Sequence, residues 1–337
     1  MKTCRLIPAL LMWCASTLVA QSPSTGSIGA SVTPPPPPPV CNASALPNVN
    51  QLALLRWYGA NMVSTFPIGG RPNGLVFDGQ NIWAVGGPTN SVSKIRANDG
   101  AVLGTFPVGN IPGYAAFDGS NIWVTNLLDN TVSKLRASDG ANLGTFPTGK
   151  FPWVIAFDGS SIWVADILDN AVSKIRPSDG ATLGVFPAGP TPIGIAFDGQ
   201  NLWVANQGGP GNTVTKLRAS DGATLGTFTV GSNPVGVTFD GRSIWVTNSN
   251  SNSVTRLRPS DGKVTGTFAV GSSPQFIAFD GTNLWVSNLG SDNVTKLRDC
   301  DGAALGTFPA GQAPVGIAFD GVNVWTANNM DGSVSKL

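Results

Sequence analysis

The chain has 337 residues, a formal net charge of +1, only 12% charged residues, 42 glycines and 26 prolines. So sparse and balanced a charge gives no electrostatic footprint for nucleic acid or an acidic membrane. Histidine and glutamate are both absent, which removes the commonest general base, the commonest metal ligand and one of the two glycosidase acids.

Lys2 and Arg5 precede an apolar run from Leu6 to Ala15, and small Ala20 follows at a cleavage position. This predicts a secretory signal peptide over residues 1–20. The run is shorter than the ~20 residues a spanning helix needs, and nothing later is apolar enough to insert in a membrane. Residues 21–50 form a leader rich in Ser, Pro and Gly, with an unbroken run from Pro34 to Pro39. Such a segment buries too little apolar surface to fold alone and is predicted to be a polyproline II spacer. Once the signal is removed the chain keeps Cys41 in the leader and Cys300 in "RDCDG", where four sister repeats have Ser. In an oxidising compartment, secreted or periplasmic, the two are expected to pair as a structural staple, with two free thiols as the alternative.

From residue 51 onward the chain is repetitive. "FDG" recurs with its aspartate at 78, 118, 158, 198, 240, 280 and 320. Each unit holds four short runs rich in Ile, Val, Thr, Phe and Trp, as in "YAAFDG", "NIWVTN", "TVSKLRA" and "NLGTFPTG", and such runs read as strands. Asp-Gly turns separate two of the pairs, where a type I′ hairpin needs positive φ. Four strands per unit, seven times over, predict an all-β, seven-bladed β-propeller across residues 51–337. One Trp occupies the same place in every unit, Trp83 through Trp325, as expected of residues filling the wedge between blades. The chain stops at the third strand of unit seven, whereas "VSTFPIGG", Val63 to Gly70, is a fourth strand without a blade before it. The N-terminal strand is therefore expected to complete the last blade and remove two open edges. Leu52 to Arg56 looks like a worn third strand that would compete with the C-terminal copy, and the C-terminal copy is expected to pair.

The repeats "IWVTN", "NTVSKLRASDG" and "GTFPVGNIPG" resemble the YVTN-type propeller repeat of exported bacterial proteins, over residues 64 to 337. The resemblance implies a propeller fold and a mixed group of surface, periplasmic and binding proteins with a few enzymes. Streptogramin B lyases are similar in fold, but the catalytic histidine and glutamate of that family have no counterpart in a chain that contains neither.

In up-and-down blades the FDG and SDG turns share one face, and the loops after strand two and between blades share the other. The FDG aspartates read as hairpin residues, not metal ligands, and the Asn closing strand two (126, 206, 248, 288, 328) as a side chain capping its own turn. Strand-three basic residues such as Lys134 and Arg136 read as a solvated rim. Two loop pairs break the pattern. Leu127 with Leu128, and Ile167 with Leu168, stand where most repeats are polar or small, and the interblade loops beside them carry Ile111, Tyr114, Phe151 and Trp153. These eight residues are predicted to gather as an exposed recognition surface anchored by Trp153 and Tyr114, the alternative being loops packed on one another or on the leader.

The leading expectation is an exported, non-enzymatic, monomeric propeller without cofactor that binds a protein, glycan or small ligand. The alternative is a lyase or lactone hydrolase at the channel mouth using Asp166 with a divalent cation. Asp166 places a carboxylate where sister blades have an amide, near Asp169.

Overall fold

The computed structural model describes residues 63–209 and 212–337; the signal, the leader and Leu52 to Arg56 lie outside them. The described residues form 28 strands grouped in seven four-stranded antiparallel sheets, the seven-bladed propeller expected from the repeat. Blade two shows the unit: β6 (Pro112–Phe117) lines the centre, β7 (Asn121–Asn126) and β8 (Thr131–Arg136) follow, and β9 (Asn142–Pro147) forms the rim. Burial falls from centre to rim. Five of the six residues of β6 are buried, whereas β9 alternates between exposed and half-buried.

Blade seven is built from both ends of the propeller. Its sheet runs β1-β28-β27-β26, where β26 is Pro314–Phe319 and β27 is Val324–Asn328, with β1 (Ser64–Pro67) paired antiparallel to β28 (Ser333–Lys336). Phe66 faces Val334 and Ser64 faces Lys336. The C-terminal copy of strand three is thus the one that pairs, and ring closure hides edges that would otherwise offer unpaired backbone.

The core repeats one set of contacts. Each FDG aspartate turns its Oδ1 to backbone N–H groups of its own hairpin, as Asp118 does for Ser120 and Asn121 at 2.9 and 2.7 Å. Its Oδ2 accepts the indole N–H five residues on: Trp123 Nε1 donates to Asp118 at 2.8 Å, and the same bond recurs in all seven blades. A buried indole needs an acceptor for its N–H, and the constant spacing of five supplies it. The sequence reading gave the aspartates a hairpin role alone; their fixed interval to the tryptophans held the second.

Lys134 corrects the expectation of a solvated rim. Its ammonium lies 5.1 Å over the Trp123 ring and donates 2.7 Å to the carbonyl of Pro177 in blade three. Lys94, Lys174, Lys216, Arg256 and Lys336 reach the next blade's turn in the same way. Arg136, by contrast, is half-exposed and pairs with Asp139, as the rim reading has it. Six rim-strand phenylalanines, all but Phe308 among the described residues, lie between their own blade's Trp, as Phe106 lies 5.4 Å from Trp83, and the turn glycine of the next blade. That glycine, Gly140 over Phe106, has φ +76° and no room for a Cβ. Gly140→Ala is expected to lower stability by ~1–3 kcal/mol, since strain and overpacking add. Gly119→Ala, at φ +96° in open space, should cost less in the same thermal melt.

Candidate functional site

The loop face carries the residues the sequence singled out. The loop after strand two folds onto the interblade loop that enters the same blade. Leu127 N donates to Ile111 O at 3.2 Å, and Ile167 N to Phe151 O at 3.2 Å. Asp129 and Asp169 secure the arrangement by accepting the backbone N–H groups of Asn110 and Lys150 at 2.8 and 2.7 Å. Strand-two and interblade loops therefore share a face, and the eight residues come from adjoining loops of blades two and three.

They divide into two sets, and the expected exposed patch is corrected accordingly. Tyr114, Trp153, Leu127 and Ile167 are buried, with 5% exposure at most, while Ile111 and Phe151 are half-buried against the same core. Only Leu128 and Leu168 stand out into solvent, at 57% and 61% exposure. The cause lies in the inner strands. In β14 (Pro192–Phe197), β18 (Pro234–Phe239) and β26 (Pro314–Phe319) an apolar residue and then a glycine follow the proline. In β6 and β22 (Pro274–Phe279) the glycine's place is taken by Tyr114 and Phe276. Seven inner strands converge on the centre, so large side chains there fill the bore. Tyr114 stacks on Phe276 of blade six across the ring, with centroids 6.0 Å apart, and Trp153 packs on Tyr114 at 5.8 Å and on Phe151 at 5.7 Å. Aromatic size that reads as an anchor in the sequence closes the channel in the fold.

The loops are held in an unusual backbone state. Ile111 and Phe151 have φ of +48° and +56°, a region that is costly for bulky side chains. Their N–H groups donate to Asn90 and Asn130 Oδ1 of the preceding blade at 2.9 and 2.8 Å. The same latch joins Thr191 to Asn170, Asn233 to Asn212, Ser273 to Asn252 and Ala313 to Asp292. The polar loop from Thr247 to Ser253 contributes Asn252 to this series.

The Asn closing strand two does not cap its own turn. Asn126 Oδ1 accepts Gly109 N–H at 3.0 Å, and its Nδ2 donates to Thr131 and Ser133 hydroxyls at 3.0 and 2.9 Å. It bridges the interblade loop to strand three, and Asn206 and Asn328 do the same. Asp166 occupies this bridging place in β11 (Ile162–Asp166) with no amide to donate. Ser173 Oγ donates to its Oδ2 at 2.5 Å, and Oδ1 has no hydrogen-bond partner. Burial pushes its carboxyl up to about 7; the Ser173 hydrogen bond opposes this, and the Asp169 charge adds to it. Asp166 has no solvent exposure, so a substrate outside the loop cannot reach it without rearrangement. Asp169 turns instead to the Lys150 backbone. Among the described residues no three His, Cys, Asp or Glu side chains come close enough to hold a metal ion.

No family model and no curated protein matches the chain. Solved structures do. Virginiamycin B lyase from Staphylococcus aureus is 22% identical with a TM-score of 0.70, covering 81% of this chain and 98% of its own. A streptogramin B lyase structure is 18% identical at 0.70, covering 81% and 96%. Kuenenia stuttgartiensis hydrazine synthase is 19% identical at 0.69, covering 79% and 95%. Likeness at this identity establishes the propeller and leaves chemistry to the site. The YVTN resemblance rests on the repeat sequence alone.

Cys300 is disulfide-bonded. Cys41, its expected partner, lies outside the described residues, as do Cys4 and Cys14. Among the described residues no helix is long and apolar enough to cross a membrane.

Proposed function

We propose that this chain is an exported, non-catalytic binding propeller that engages an apolar protein surface through its loop face. The supporting observation is that this face is polarised. The second residue after strand two is exposed and apolar in four consecutive blades, Met330 of blade seven, Pro88, Leu128 and Leu168, and is Gly208, Asn250 and Gly290 in the other three. Folding gives no reason to hold leucines at 57% and 61% exposure on loops whose backbone contacts any residue could make. A one-sided apolar arc on a soluble ring is the kind of patch that marks an interaction site. The buried aromatic stack beneath it gives the loops a rigid floor, which lowers the ordering cost of binding.

The test is capture from the organism's own secreted and surface fraction by the mature chain and by a Leu128→Asp, Leu168→Asp double variant. A partner held by the parent chain and lost by at least about tenfold, or 1.4 kcal/mol, in the variant is the expected result. Equal capture by both would place recognition elsewhere.

A further inference from the structure

The FDG and SDG face, opposite the apolar arc, holds a pocket of its own. A cavity of about 400 Å³ opens at the seam between blades four and five, lined by residues 198–201 of blade four's FDG turn, by Lys216, and by Pro259 and Ser260 of blade five. That volume falls in the range of small-molecule sites.

Three departures from the repeat meet at this seam. The first is in the turn. Proline has no N–H, so Pro259 lacks the bond that Ala97, Ala137 and Ala219 donate to the carbonyl of Gln80, Ser120 and Gln200 in their own blade's FDG turn. The turn is then tied to the preceding lysine at one point. Lys94, Lys174 and Lys336 each donate to two successive carbonyls of the next blade, whereas Lys216 donates to Pro259 O alone, at 2.7 Å. An ammonium has three N–H donors, so two are left for the pocket. The second departure is Gln200, where blades two, three, five, six and seven have Ser120, Ser160, Arg242, Thr282 and Val322. Blade one also has a glutamine, Gln80, but Lys94 beside it is buried and donates twice. The third is Ala196, half-buried where Ala116, Ala156, Ala278 and Ala318 are at most 4% exposed. Ala196 pairs with Trp203, and Trp203 with Lys216, so the three side chains leave the sheet on one face, the face whose lysine reaches blade five.

The chemistry of the lining selects a class of ligand. Asp198 is already engaged, accepting the N–H groups of Gln200 and Asn201, the Asn201 amide and the Trp203 indole. Its charge offsets that of Lys216, so neither a fixed anion nor a fixed cation meets a net opposite charge. What remains is a set of mixed donors and acceptors, the Gln200 amide, the Ser260 hydroxyl and the two Lys216 N–H groups, around the Pro259 ring. Hydroxyl groups both donate and accept, and a ring that carries several of them beside a C–H face matches this lining. We propose that the pocket binds a neutral hexose, free or at the end of a glycan, with its hydroxyls on Gln200, Ser260 and Lys216 and its C–H face on Pro259. The site uses no residue of the apolar loop arc.

Titration of the isotope-labelled mature chain with glucose, galactose and mannose, and with oligosaccharides ending in each, tests this through amide shifts. At least one hexose should move the amides of residues 199–201 and 260, with a dissociation constant of about millimolar order for so small a ligand. Binding of the matching oligosaccharide at least about tenfold more tightly marks a glycan as the source, and equal binding marks the free sugar. A Gln200→Ala, Ser260→Ala variant should bind at least about tenfold more weakly with an unchanged melt, since both side chains are exposed. Gln80→Ala should bind like the parent chain. The Leu128→Asp, Leu168→Asp variant should keep the sugar, which separates this result from the fate of partner capture. No shift with any of these sugars at about 100 mM, shifts centred on other residues, unchanged affinity in the Gln200→Ala, Ser260→Ala variant, or a stronger response to glucuronate than to glucose would each overturn the proposal. The shift map of the parent chain decides even if a variant fails to fold.

Discussion

Asp166→Asn is expected to raise the melting temperature at pH 8 and to leave it nearly unchanged near pH 4. The buried carboxyl holds its proton up to about pH 7 in the folded chain, whereas in the unfolded chain it titrates near 3.9. Between those values the folded state binds more protons than the unfolded state, so stability falls as pH rises through this window and levels off above it. At ~1.4 kcal/mol for each unit of pKa difference, the cost of the charged form at pH 8 reaches a few kcal/mol. Asparagine removes the titration. Its amide can donate to Ser173 Oγ as Asn126 donates to Ser133 at 2.9 Å, and its carbonyl can accept from Gly149 as Asn126 accepts from Gly109 at 3.0 Å. Thermal melts of both proteins from pH 4 to 8 check the sign. Parallel curves would mean that Asp166 is ionised throughout, satisfied by solvent or a cation, and would reopen the catalytic reading.

The fold was legible because its determinants are local and repeated. Seven repeats spaced 40 or 42 residues apart, Asp-Gly turns and one Trp per unit point to the same four-stranded blade, and levels that agree specify a structure. The orphan strand at Val63 to Gly70 carried the closure in the same way. Contacts between blades were harder to read. Lys134 looks like any strand-three surface lysine until blade three places the Pro177 carbonyl 2.7 Å from its ammonium. Asn126 looks like a turn cap until the interblade loop brings Gly109 to it. The candidate site was half legible for the same reason: pattern breaks located Tyr114, Trp153, Leu127 and Leu128 on one face, but inside and outside are decided by convergence of the inner strands, which no single repeat encodes. The alternation of apolar residue and glycine after the inner-strand proline, broken at Gly113-Tyr114 and Gln275-Phe276, was the available signal that the bore had been filled.

Trp153→Ala is expected to cost stability before it costs binding. The side chain is buried at 5% exposure between Phe151 and Tyr114, and truncating a core tryptophan typically loses ~3–5 kcal/mol through lost transfer energy and the cavity left behind. The collapse available to the site is small, because Tyr114 is fixed against Phe276 on the far side of the ring. Trp153→Phe separates ring from donor. It keeps an aromatic partner for Tyr114 and deletes Nε1–H, a buried donor with no hydrogen-bond partner, so lost area and relieved desolvation oppose each other and the net change should be far smaller than for alanine. Leu128→Asp and Leu168→Asp sit at the other limit. Exposed loop positions usually change stability by no more than ~0.5 kcal/mol, so any loss of partner capture in those variants reports on the surface itself. A denaturant series over the four proteins, read beside their capture of the partner, therefore sorts the eight pattern-breaking residues by role. If Trp153→Ala melted like the parent chain, the aromatic stack would not be what closes the bore, and the loops above it would lose their rigid floor.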